Sequence, residues 1–173
     1  VSENSIAKAH EYLNAPFNNS GGENPYSIHA ELQQTTNDLV GIIRIKHELE
    51  ESLKKISELR SRAKKAKAEG GKNFNPGFHL ALDLENMLLV SESIARSALQ
   101  REESRGGHTR EDFPKMDPTW RQVNSIATWN GESMSVVKQA LPPMPKELAG
   151  LFELDELKKY LTNEELANYG GGH

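Results

Sequence analysis

The chain has 173 residues, 36% of them hydrophobic, 27% charged and only 6% aromatic, which suits one moderate helical core better than a β-sandwich or a disordered chain. A formal net charge of -4 and an isoelectric point near 5.9 provide no basic field for collecting phosphates, so nucleic acid is not an expected partner. Without cysteine the chain builds no disulfide, iron–sulfur cluster or thiolate zinc site of its own, and no apolar run approaches the roughly 18 to 20 residues a membrane span needs.

Residues 2–13 read as a short helix with Ile6, Ala9 and Leu13 on one side, stopped by Ala15-Pro16. A polar connector with glycines follows, so residues 1–23 are expected to form an N-terminal helix and linker. Asn24-Pro25 is an N-cap followed by a proline at the first helical position, where its missing N–H costs nothing. Ile28, Leu32, Leu39, Val40 and Ile43 continue that helix, and Gly41 and Arg44-Ile45 mark its end. Ile45, Leu49, Leu53, Ile56, Leu59, Ala63 and Ala66 then recur one turn apart, while Glu50 with Lys54, Glu51 with Lys55 and Glu58 with Arg62 place each acid one turn before a base on the wet face. Lys64-Lys65-Ala66-Lys67 reads as its solvated end, and Gly70-Gly71 stops it. Asn75-Pro76 repeats the start signal. Residues 78–99 carry Leu80, Leu82, Leu84, Met87, Leu88, Leu89, Val90 and Ile94 nearly all round, as expected of a central helix packed against both others.

Short connectors make the fold class mainly α, an antiparallel three-helix bundle over 24–104. Residues 105–173 add a loop, a β-hairpin and short C-terminal helices. The hairpin is expected from strands at 120–128 and 133–141 around Trp129-Asn130-Gly131-Glu132, Asn-Gly being the strongest short hairpin signal. Pro142-Pro143-Met144-Pro145 bars further pairing. Leu148, Leu151, Phe152, Leu154, Leu157 and Leu161 suggest short helices, with Thr162-Asn163-Glu164-Glu165 resembling a capping box.

The densest chemistry lies in Arg101-Glu102-Glu103-Ser104-Arg105-Gly106-Gly107-His108-Thr109-Arg110-Glu111-Asp112-Phe113-Pro114. Arg101, Arg105 and Arg110 can fork onto carboxylates or phosphates, and Glu103 and Asp112 can hold those guanidiniums. Two readings stand: a Schellman-type helix end followed by an ion-pair network, or a site. They differ in whether His108 and an arginine face a cavity or another protein surface. The histidines at 10, 29, 47, 79 and 108 make no metal-ligand pattern, so no metal is expected. His79 reads as a packing residue, and Asp83 and Glu85 point to different faces. No glycine phosphate cradle and no nucleophile elbow occurs, and Trp120 and Trp129 are more simply read as packing or interface residues than as cofactor stackers.

Asn24-Pro25-Tyr26 with Glu31-Leu32-Gln33 and Val40-Gly41-Ile42-Ile43-Arg44, then Leu82-Asp83-Leu84-Glu85-Asn86-Met87-Leu88, then the 101–114 run occur in the order seen in the flavoprotein subunits of succinate dehydrogenase and fumarate reductase. The third is the most specific. It matches every fixed position of R-x-E-S-R-G-x-H-x-R-x-D-[YF]-P, with Phe113 at the variable aromatic. The chain therefore resembles the C-terminal helical region of that subunit from about residue 24 through the hairpin. The resemblance implies a spectrin-repeat-like three-helix domain packed on the FAD-binding domain of the same polypeptide. It implies FAD in the parent subunit and none bound by this segment. It also implies an iron–sulfur subunit and membrane anchor as partners, and a cytoplasmic location at the inner face of the membrane.

The FAD-carrying and dicarboxylate-gripping residues of that family lie upstream and have no matching position here, so no catalytic, cofactor-binding or metal residue is carried over. Arg101, Glu103, Ser104, Arg105, His108, Arg110 and Asp112 are assigned instead to the junction between bundle and flavin domain. Two rivals need no missing domain: a free-standing helical interaction module and an independent hydrolase. The hydrolase lacks any nucleophile and base at motif spacing.

Overall fold

The computed structural model describes residues 2–142 and 144–167 and divides into two compact units, 1–139 and 140–173. The first unit begins with α1 (Glu3–Asn18), α2 (Pro25–Leu39), α3 (Lys46–Ala63) and α4 (Pro76–Gln100). The antiparallel three-helix bundle is present as α2, α3 and α4, which pack against one another in all three pairings, and α1 lies on α4 as an added helix. Its two asparagine caps form as the sequence predicts: Asn24 Oδ1 accepts from the Tyr26 N–H and Asn75 Oδ1 from the Phe78 N–H, both at 2.9 Å. Ile28, Leu49, Ile56, Leu59, Leu84 and Leu88 are buried at the centre, each contributing roughly 1.5–3 kcal/mol of burial.

Several expectations are corrected locally: α2 ends at Leu39, so Val40 and Ile43 do not continue it and Ile43 lies in extended backbone, and four further points differ. First, α1 runs through Pro16 instead of stopping before it. The proline sits in the last turns, is buried, and its carbonyl accepts from the Ala68 N–H at 2.8 Å, so tertiary contact offsets the lost helical bond. Second, Arg62 turns from Glu58 to the α1–α2 connector and to α2, forking onto Glu23 (2.9 and 2.6 Å) and reaching Glu31 (2.7 Å). Third, the Lys64-Lys65-Ala66-Lys67 cluster lies beyond the helix, with Ala66 buried and the Lys67 N–H donating to the Glu23 carbonyl. The same strand of backbone approaches Gly22 so closely that a β-carbon there would meet the Lys65 carbonyl at 2.1 Å. Fourth, α4 is not apolar on every buried side. Val90 and Ile94 are 58% and 48% exposed, whereas Glu92 is buried and held by Arg60 and Arg96, both at 2.6 Å.

After α4 the chain forms an unpredicted parallel pair. Strand β1 (Ile43–Arg44), in the α2–α3 connector, pairs with β2 (Thr109–Arg110) in the loop after α4. A 3-10 helix (Pro118–Gln122) then leads into β3 (Val123–Trp129) and β4 (Met134–Ala140), which pair as a hairpin. Asn130 shapes its turn by accepting from the Glu132 and Ser133 N–H groups, with Gly131 at φ +101°. The hairpin turns at Asn130-Gly131 as expected, with its strand ends shifted: Trp129 belongs to β3, β4 stops at Ala140, and the largest difference is at the start. Trp120 lies in the 3-10 helix, capped by Asp117 and opened by Pro118, and is buried there. Trp129 ends β3, with the Arg60 guanidinium 5.2 Å from its ring centroid.

The second unit contains α5 (Lys146–Ala149), α6 (Leu154–Tyr160) and α7 (Asn163–Ala167). The predicted capping box opens α7: the Thr162 N–H donates to Glu165 at 2.7 Å, and the Glu165 N–H to Thr162 Oγ1 at 3.3 Å. Among the described residues no helix is long and apolar enough to cross a membrane.

Candidate functional site

The site begins where α4 ends. Arg101 is extended (φ -83°, ψ 97°) and no left-handed residue closes the helix there, so the Schellman-type end is absent. Arg110 supplies the closure. Its Nη1 donates to the Ala98, Leu99 and Arg101 carbonyls at 2.9, 3.1 and 3.2 Å, placing a cation on the negative pole of α4. Its other edge forks onto Asp112, both contacts at 2.7 Å, and Asp112 accepts from the Lys46 N–H at the start of α3. One ion pair therefore satisfies the C-terminus of one helix and the N-terminus of another. Arg110 is 1% exposed, and this charge-assisted bonding to carbonyls and a carboxylate is what allows it to be buried. The same bonds hold the Asp112 carboxyl below the ordinary carboxylate range.

Ser104 pins the loop. Its Oγ accepts from the Arg110 N–H and donates to the Phe113 carbonyl, both at 2.8 Å. Between them Arg105 and His108 exchange backbone hydrogen bonds across a tight turn, and Gly106 provides the φ of +62° that the turn requires.

Glu103 is fully buried. One oxygen accepts from Arg101 (3.0 and 2.7 Å) and Arg105 (3.0 Å), the other from the Asp117 N–H at 3.0 Å. Burial alone raises its pKa, but the bonds from Arg101, Asp117 and Arg105 outweigh it and the carboxyl stays below its usual range.

His108 is 7% exposed, and Arg44 Nη1 lies 2.6 Å from its Nδ1. A guanidinium only donates, so Nδ1 accepts and the proton sits on Nε2, which donates to the Arg101 carbonyl at 3.0 Å. Burial, with Arg44, Arg101 and Arg110 nearby, depresses its pKa despite that last bond. His108 is thus a neutral, orientation-locked spacer between arginines.

All the predicted residues, Arg101, Glu103, Ser104, Arg105, His108, Arg110 and Asp112, come together in this one network. Arg44 was missed as a site residue. Its Nε donates to the Val40 and Gly41 carbonyls at 3.0 and 2.7 Å, and β1–β2 pairing carries it to the loop. The only hint in sequence was its place in the Val40–Arg44 segment. Arg44, Arg101, Arg105, His108, Trp120 and Asn124 border a cavity of about 310 Å³. Among the described residues no group of side chains is arranged to ligate a metal. Three arginines border the cavity, and guanidinium forks are donors of the geometry that suits carboxylates and phosphates.

Residues 29–148 match the family model described as fumarate reductase flavoprotein C-term. The Helicobacter pylori fumarate reductase flavoprotein subunit is 30% identical over 95% of this chain, which spans 22% of that subunit. In the apo Mycobacterium smegmatis Sdh1 complex, one chain superposes with a TM-score of 0.87 at 50% identity, over 96% of this chain and 29% of its own length. The Escherichia coli quinol fumarate reductase FrdA structure gives a TM-score of 0.72 at 26% identity, over 83% of this chain and 26% of that one. The arginine motif, the bundle it closes and these likenesses agree that the chain belongs to the family of C-terminal regions of the succinate dehydrogenase and fumarate reductase flavoproteins.

Proposed function

We propose that the chain is the helical C-terminal region of a flavoprotein subunit that interconverts succinate and fumarate in exchange with quinone, and that it acts there as a scaffold, inactive alone. The observation that carries this is the fixed arginine network at the end of α4, a structure far more elaborate than closing a helix requires. In this reading Arg101, Glu103, Ser104, Arg105, His108, Arg110 and Asp112 hold the bundle in register with the FAD-binding domain of the same polypeptide. An iron–sulfur subunit and a membrane anchor complete the complex at the inner face of the cytoplasmic membrane.

The residues present do not fit FAD itself. The parallel pairing β1–β2 is only two residues long and leads into no glycine-rich turn before a helix, so the pyrophosphate cradle of a dinucleotide fold is lacking among the described residues. The flavin is accordingly assigned to the upstream domain, and no chemical step is assigned to this chain.

A chimera tests the reading. Residues 1–173 replace the matching segment of the Mycobacterium smegmatis chain, and flavin absorbance per polypeptide and succinate oxidation are measured. The graft should restore both relative to a truncated chain. Arg105→Ala in the graft should lower FAD retention about tenfold, the equivalent of about 1.4 kcal/mol at the junction. A truncated chain that keeps its flavin and turnover would refute the scaffold role. The rival interaction module predicts instead a stable colourless monomer that adds nothing to the truncated enzyme.

A further inference from the structure

We infer that the cavity bordered by Arg44, Arg101 and Arg105 is an oxyanion site, and that its occupant is an aspartate or glutamate side chain of the upstream flavin-binding part of the polypeptide. The inference rests on the placement proposed above and names the partner chemistry of the same site.

Charge counting comes first. Arg110 is matched by Asp112, and Arg101 and Arg105 share the single carboxylate of Glu103. Among the described residues Arg44 forms no ion pair: its bonds go to two carbonyls and to a neutral imidazole. Among the described residues, three guanidiniums bordering one cavity therefore have one carboxylate among them, in a chain whose formal charge is -4. The excess is local, and it is fixed in place. Arg44 is held from below by Val40 and Gly41, Arg101 and Arg105 by a buried Glu103, and the ring between them is locked in one tautomer. Such preorganisation costs an incoming anion little ordering entropy.

The occupant follows from what lies outside the chain. The chain spans 22% of its Helicobacter pylori relative, so in the proposed placement most of the polypeptide stands available to cover this cavity. A carboxylate delivered by that polypeptide would pair Arg44 and seal the junction with a charge-assisted fork. A free carboxylate or phosphate offers the same chemistry from another source, and the experiment separates the two.

Phenylglyoxal, which modifies solvent-accessible arginines, is applied to the 1–173 chain and to the chimera, and modification of Arg44 and Arg105 is followed by mass spectrometry. In the 1–173 chain, sodium acetate or sodium phosphate at constant ionic strength should slow modification of Arg44 at least fivefold relative to sodium chloride, as expected for a forked contact. In Arg44→Lys, which keeps the charge and loses the fork, the protection of Arg105 should fall by a similar factor. Equal rates in acetate, phosphate and chloride would overturn the site. In the chimera, Arg44 should be protected in chloride alone. Protection there only after acetate or phosphate is added would overturn the side-chain occupant. Loss of flavin from the chimera would refute the scaffold reading while leaving the outcome in the 1–173 chain to decide the anion site.

Discussion

At the scale of single residues, the site depends on a histidine that stays neutral. The His108 pKa is lowered in the folded state, so unfolding into acid lets the ring take up a proton that folding excludes. The stabilisation is complete above the ordinary imidazole value of about 6.5 and drains away as pH falls from there toward the folded value. Glu103 and Asp112, whose pKa values are also lowered, act in a more acid window, below the ordinary carboxylate range of about 4. The two windows separate experimentally. Thermal melts between pH 7.5 and pH 5.5 should show a drop in Tm that His108→Gln makes shallower, because a glutamine can still accept from Arg44 and donate to Arg101 but does not titrate, while the decline below about pH 4.5 persists in both proteins. The seven-residue cluster was legible because its charges sit close together in sequence. Arg44 was not, because its partner His108 is 64 positions away and no local pattern announces a two-residue strand pair.

At the scale of elements, caps and periodicity were readable and context was not. Asn24-Pro25 and Asn75-Pro76 started helices where local chemistry says they should, since an N-cap needs only its own next turn. Pro16 was misread because the contact that tolerates it comes from Ala68, a residue beyond α3. In α4 the apolar residues were too evenly spread for sequence to name the buried stripe. The structure puts Leu84 and Leu88 inside and Val90 outside, and seats Glu92 between Arg60 and Arg96. Leu88→Ala should therefore cost about 2–5 kcal/mol in urea unfolding, whereas Val90→Ala should cost under about 0.5 kcal/mol. Comparable losses at both positions would mean that the exposed side of α4 is covered.

At the scale of the molecule, the bundle forms from neighbours in sequence, but its closure does not. The connectors between α2, α3 and α4 are residues 40–45 and 64–75, each joining helices adjacent in sequence, while the β1–β2 pairing joins the connector before α3 to the loop after α4. Contacts of long sequence separation carry the larger entropic cost of loop closure and are expected late in folding. In stopped-flow refolding of a Trp129→Phe variant, far-ultraviolet circular dichroism should recover before the fluorescence change that reports burial of Trp120. Simultaneous recovery would show that strand pairing and bundle form in one step. The order has a result for assembly. Arg44 lies on one side of that closure and the Glu103-linked pair Arg101 and Arg105 on the other, so a chain in which the strands have not yet paired presents two guanidiniums where the finished fold presents three. If a neighbour docks on all three, as inferred above, it would bind the finished fold more tightly than a half-made copy.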